Sequence, residues 1–147
     1  MDIVLINSPL FLNQGEIENE NYLMPIGLGY IASILSKNNI QVKILDAVCE
    51  NLSIESLNER LQAIKPKFVG VNIFSTNYKL VQKLVENISY DCHIIVGGLS
   101  TKSLYGQILD WNTSNKVDIV IGDGELIILD IIRGELKEPA FCLQSKK

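Results

Sequence analysis

The chain has 147 residues, 47% hydrophobic and 20% charged, with a formal net charge of -4. This is enough apolar material for one hydrophobic core and too little polar excess for a disordered chain. With 13 Lys+Arg against 17 Asp+Glu, the positive footprint that a nucleic acid demands is missing, so nucleic acid is not an expected partner. Ile3 to Ile6 is a continuous apolar run and reads as the first strand. A long loop follows, from Asn7 to about Met24, carrying Asn7, Asn13, Gln14, Asn19, Asn21 and Gly15. It is roughly three times the usual strand-to-helix connection, which in a compact domain suggests a lid, a binding loop or local disorder.

From Pro25 to Lys37, Ile26, Tyr30, Ile31, Ile34 and Leu35 recur at helical spacing behind a proline suited to a first turn. Val42 to Leu45 is the second strand; Ser53 is a candidate N-cap for a helix with Leu57, Leu61 and Ile64, which Pro66 stops. Phe68 to Phe74 is the third strand, followed by a helix carrying Leu80, Val81, Leu84, Val85 and Ile88. Ile94 to Val96 is the fourth strand, Thr101 to Trp111 a short helix, Val117 to Ile121 the fifth strand, and Glu125 to Arg133 a last helix ending at Gly134. Five strands, each followed by a helix, imply an α/β protein with a parallel sheet covered on both faces. The expected architecture is a three-layer αβα, flavodoxin-like (Rossmann-like) fold with strand order 2-1-3-4-5 and right-handed crossovers. One domain is expected over residues 1–135, with residues 136–147 a linker or disordered tail.

Cys49, Cys92 and Cys142 are odd in number and contain no CxxC spacing, which excludes a disulfide framework and a zinc knuckle and reads as buried or half-buried thiols. No apolar run approaches the roughly 18 residues of a membrane span. The start Met1-Asp2-Ile3 lacks a basic segment leading into an apolar one, so a cytoplasmic location is expected.

Ligands of open parallel sheets sit outside the carboxyl ends of the strands, which directs attention to the loops there. The third strand ends in Ser75-Thr76-Asn77, small polar residues that can bind a ligand or cap the next helix. The fourth ends in Gly97-Gly98, either a plain turn or a place where something wide passes over the strand end. The fifth ends in Gly122-Asp123-Gly124-Glu125, with Glu125 suited to a helix N-terminus. Gly27 and Gly29 in the first helix's opening turns require a reason, since each costs about 1 kcal/mol relative to Ala in a helix interior. A bulky ligand or a close backbone neighbour would supply it. Together these loops predict a broad, glycine-floored crevice.

No catalytic set accompanies it. His93 is the only histidine, at the amino end of the fourth strand and away from the crevice, and no metal site is expected. Asp46 closes the second strand where dinucleotide folds hold a ribose, but no GxGxxG precedes it; GxxxxGK[ST] and GxSxG are also missing. Asn7-Ser8-Pro9 replaces the clustered acids of receiver domains, and the long amide-rich loop does not match a flavodoxin phosphate loop.

Five segments in register carry a family resemblance: residues 25–32 (PIGLGYIA), 42–47 (VKILDA), 69–71 (VGV) with Ser75, 95–98 (IVGG) and 117–125 (VDIVIGDGE). In order and spacing they resemble the N-terminal cobalamin-binding domain of cobalamin-dependent radical S-adenosylmethionine enzymes, over residues 1 to about 135. The resemblance implies a cobalamin (vitamin B12) cofactor whose nucleotide tail meets Ser75, Thr76 and Asn77, with Gly97 and Gly98 making room. It implies further that Gly122, Gly124 and Glu125 flank the cleft while Gly27 and the Asn7 loop face the corrin ring. Methyltransferases and mutases that ligate cobalt use an Asp-x-His-x-x-Gly loop after the first strand; no His occurs there, so cobalamin without a protein His ligand is expected. The radical enzymes also carry a CxxxCxxC loop in a barrel, which this sequence lacks. S-adenosylmethionine and a [4Fe-4S] cluster are accordingly expected only in a catalytic domain acting in cis or in trans, this chain being a truncated piece or a free-standing module. The alternatives are a non-enzymatic αβα interaction module with a vestigial crevice, or a small flavin- or nucleotide-binding protein.

Overall fold

An interior strand of the sheet, Ile3–Asn7 (β1), is buried at every position, and its sequence alternates faces so that each side receives its own core. The structure is a computed structural model that describes residues 1–10, 24–136 and 142–144. Its remaining elements are α1 (Ile26–Lys37), β2 (Val42–Asp46), α2 (Ile54–Ile64), β3 (Phe68–Asn72), α3 (Tyr78–Glu86), β4 (His93–Gly97), α4 (Thr101–Leu109), β5 (Lys116–Val120), α5 (Ile128–Arg133) and β6 (Cys142–Gln144). Most of the expected first loop, including Asn13, Gln14, Gly15, Asn19 and Asn21, lies outside the described residues.

The strands are ordered β2-β1-β3-β4-β5-β6. The first five are parallel, in the expected 2-1-3-4-5 arrangement, with β1 registered between β2 (Ile3 beside Val42) and β3 (Ile3 beside Phe68). The sixth pairs antiparallel with β5, Val120 opposite Cys142 and Asp118 opposite Gln144. Within residues 136–147, expected as a linker or disordered tail, Cys142–Gln144 is described as an edge strand. Three residues are too short a run to show a two-residue period, so the sequence carried no signal for it.

Alternation along the strands separates two cores. Val4, Ile6, Val69, Val71, Ile94, Val96, Val117 and Ile119 face α2, α3 and α4. Ile3, Leu5, Ile95 and Val120 face α1 and α5, meeting Leu35, Ile128 and Ile131. The layers are thus helix, sheet, helix. Gly70 belongs to the close fit on the second face, since a Cβ there would fall 2.7 Å from Leu5 Cδ2.

Local chemistry sets the helix ends. Ser53 Oγ accepts the Ser56 backbone N–H at 3.1 Å, capping α2 as its sequence predicts. α4 stops at Leu109, and Trp111 turns into the core with its indole N–H donating to the Tyr78 hydroxyl at 2.8 Å. The expected helix from Glu125 to Arg133 is broken: a 3-10 turn at Gly124–Leu126 precedes α5, which begins at Ile128. Gly124 lies against α1 there, where a Cβ would meet Ile31 Cδ1 at 3.3 Å. Among the described residues no helix is long and apolar enough to cross a membrane.

Candidate functional site

Because β1 to β5 are parallel, their carboxyl ends share one edge, and the loops singled out in the sequence gather along it. Ser75 and Thr76 are exposed in a 3-10 turn after β3; Gly97 ends β4; Gly98, Gly122 and Glu125 are exposed beyond β4 and β5. Gly27 is exposed in the first turn of α1.

The glycines divide by cause. Among the described residues, a Cβ at Gly27, Gly29 or Gly97 would meet no atom within 4 Å. Close packing against the described backbone is therefore not what keeps Gly27 and Gly29 free of side chains, and Gly97 leaves the end of β4 bare. Gly98 is different. Its φ is +121° and a Cβ would lie 2.6 Å from the Ile73 carbonyl oxygen and 2.9 Å from the Ile73 nitrogen. The Ile73 N–H donates to the Gly97 carbonyl at 2.8 Å, extending the β3–β4 ladder to this point. Gly98 serves that close approach of two backbones, whatever else lies above it. Gly122, at φ +98°, likewise occupies a conformation that favours glycine.

Asn7 and Asn77 are built into the protein. The Asp46 carboxylate Oδ1 accepts from Asn7 Nδ2 (2.9 Å) and from the Val48 and Cys49 backbone N–H groups (3.2 and 3.0 Å). Asn7 Oδ1 accepts from Asn72 Nδ2 at 2.9 Å, and Asn72 Oδ1 accepts from the Ser8 N–H at 2.8 Å. A carboxylate can only accept, so it orients the Asn7 amide, and Asn7 in turn orients Asn72. This ladder ties together the ends of β2, β1 and β3 and fixes where the first loop leaves the sheet. Asn77, fully buried, holds the Phe74 N–H with its Oδ1 at 2.7 Å, so it caps the turn; its Nδ2 has no partner.

Two features escaped sequence reasoning. Ser8 is fully buried, and its Oγ has no hydrogen-bond partner among the described residues. Met24, Ile26 and Tyr30, at the start of α1, and Leu99, after β4, are large apolar side chains left exposed, Leu99 to 90%. Their positions continue apolar patterns, so only the folded chain reveals that nothing in the described residues covers them.

The groups with perturbed acidity lie elsewhere. Burial pushes the Cys92 thiol up to about 11 and raises the neighbouring Tyr90 phenol further above its ordinary range. His93 starts β4, at the opposite edge, with Nε2 2.9 Å from Asp118 Oδ2 and with Phe68 beside its ring. Among the described residues no group of three or more His, Cys, Asp or Glu side chains is placed to hold a metal ion. The edge offers hydroxyls, amides, bare backbone and apolar contact surface, which suits holding a large ligand rather than transferring protons.

Comparison with known proteins agrees with that shape. The family profile described as "B12 binding domain" matches residues 17–132. An uncharacterized methyltransferase from Pyrococcus horikoshii is 25% identical over 112 residues, 74% of this chain and 24% of that protein. Cytidylyl-2-hydroxyethylphosphonate methyltransferase from Streptomyces wedmorensis is 26% identical over 148 residues, 86% of this chain and 27% of the relative. The chain thus spans about a quarter of the length of these relatives. The cobalamin-dependent S-adenosylmethionine radical enzyme OxsB superposes with a TM-score of 0.72 at 22% identity, covering 92% of this chain and 19% of OxsB. The radical S-adenosylmethionine methyltransferase TsrM from Kitasatospora setae gives a TM-score of 0.70 at 16% identity, over 92% of this chain and 25% of TsrM. At such identities the superpositions speak for the fold, and the profile match over most of the sequence speaks for the family: this chain belongs to the B12-binding domain family.

Proposed function

We propose that the chain binds cobalamin at the carboxyl edge of its sheet and presents it to a radical S-adenosylmethionine catalytic domain, in cis or in trans, for methyl transfer or a related radical reaction. The observations that carry this reading are the bare backbone at Gly97, at the carboxyl end of β4, and at Gly27, in the first turn of α1, together with the exposed apolar side chains Met24, Ile26, Tyr30 and Leu99. A wide, partly apolar macrocycle rimmed with amides fits such a surface, whereas a small nucleotide would leave most of it uncovered. Cobalamin, when bound, supplies the methyl-transfer or radical chemistry. The protein's own residues contribute placement.

In this reading Ser75 and Thr76 donate hydrogen bonds to the nucleotide tail, and Gly97 leaves room above β4. Gly122, Gly124 and Glu125 flank the cleft, with Gly27 and the loop after Asn7 toward the corrin. Gly98 and Asn77 shape this edge from beneath, through the Ile73 approach and the Phe74 cap. The sole histidine is at the far edge, so cobalt receives no imidazole from this chain. S-adenosylmethionine and the [4Fe-4S] cluster belong to the catalytic domain.

Hydroxocobalamin mixed with the protein and desalted is the direct test. Retained corrinoid with a spectrum lacking a protein imidazole signature is expected. A colourless protein fraction would favour the interaction module, and a yellow flavin spectrum on purification would favour the flavin alternative.

A further inference from the structure

Ser8 combines three properties that no other residue of the carboxyl edge shares. It is 0% exposed, its Oγ has no partner among the described residues, and its backbone is held in place from a neighbouring strand by Asn72 Oδ1 at 2.8 Å. A buried hydroxyl without a partner is a standing cost, because its hydration is lost and nothing replaces it. The Asp46–Asn7–Asn72 ladder fixes the main chain at Ser8 and leaves the side chain unanswered.

Ser8 follows directly on β1, whose last residue is Asn7, and so lies at the carboxyl end of that strand. Asn77, on the turn between β3 and α3, carries the other unpartnered buried group of this edge, Nδ2. Both belong to the parallel strands' carboxyl ends, where ligands of this architecture enter.

We propose that Ser8 is a ligand-binding residue: its Oγ hydrogen-bonds a polar atom of the nucleotide tail of the corrinoid, with Asp46, Asn7 and Asn72 as positioning residues that hold Ser8 for that contact. The assignment rests on the cobalamin reading above. The tail, rather than the corrin ring, is the partner because a side chain with no surface of its own is reached only by a narrow group entering between sheet and helices. A macrocycle lying across the strand ends does not enter that layer.

The test is Ser8→Ala, measured in two ways on the full 147-residue chain. Apo stability, read by denaturant unfolding, is expected to stay level or rise, since the substitution removes a polar atom that had no partner. Affinity for cobalamin is expected to fall by about fivefold, one neutral hydrogen bond, while affinity for cobinamide, which lacks the nucleotide tail, stays unchanged. Unchanged cobalamin affinity would overturn the assignment, as would an equal loss for both corrinoids, which would mean that Ser8 acts by shaping the loop. A loss of apo stability with unaltered binding would identify a structural hydroxyl. If the wild-type chain bound neither corrinoid, the cobalamin reading itself would fall; wild-type binding with an indifferent Ser8→Ala variant would remove only this proposal.

Discussion

Gly97 and Gly98 are adjacent and lack side chains for opposite reasons. Gly98 is held at φ +121° with Ile73 backbone atoms where a Cβ would go. Gly98→Ala is therefore expected to destabilise the fold by about 3 kcal/mol, from a left-handed backbone and a contact that neither strand can relax; chemical denaturation measures it. Gly97→Ala enters open space and should leave stability within about 0.5 kcal/mol. In the sequence the pair read as one unit, either a plain turn or room for something wide, because a glycine's φ and its neighbours are decided by strands far apart in the chain. Cys92 gives the residue scale a pH prediction. Its thiol is pushed up to about 11 by burial, from an ordinary value of 9.0. The unfolded chain thus releases this proton at lower pH than the folded one does. The stability tied to the neutral thiol is complete below pH 9.0 and is lost as pH rises toward 11. A stability profile from pH 8 to 10 should show the start of this decline, and Cys92→Ala should flatten that part; above the ordinary phenol value of 10.0 the half-buried Tyr90 adds a decline of its own.

At the scale of elements, the helices were legible where side chains near in sequence determine them. The α2 cap at Ser53 is local chemistry, and Ser53→Ala should lower stability by about 1 kcal/mol in thermal unfolding, with no effect on ligand binding. The hydrophobic runs likewise marked β1 to β5, whose periodicity is a property of each strand alone. What sequence could not show was relational. The break at Ile127 depends on Gly124 settling against Ile31, roughly ninety positions earlier. The role of Asn7 depends on Asp46 and Asn72, which reach it only when β2, β1 and β3 lie side by side. An amide at a strand end is equally compatible with a ligand contact and with a structural ladder until its neighbours are known. Here the ladder engages one N–H and the carbonyl oxygen of the Asn7 amide, which the sequence reading had directed at a corrin ring.

The whole molecule is a doubly wound sheet whose two helical layers finish its faces and whose carboxyl edge is left polar, glycine-rich and bordered by exposed apolar side chains. The composition that excluded nucleic acid and the odd, scattered cysteines that excluded zinc and disulfide scaffolds remain consistent with a cofactor-holding layer. In the proposed reading, the iron–sulfur chemistry belongs to another domain. That division of labour makes binding, rather than turnover, the property of this chain to measure. The most direct measurement is an equilibrium titration of the protein with hydroxocobalamin, followed by absorbance, alongside the Gly97→Trp variant. Saturable one-to-one binding by the wild type, lost in a Gly97→Trp protein that unfolds at the same denaturant concentration, is the predicted result. No saturable binding by the wild type, or equal binding by a folded Gly97→Trp variant, would contradict the placement of cobalamin on this edge.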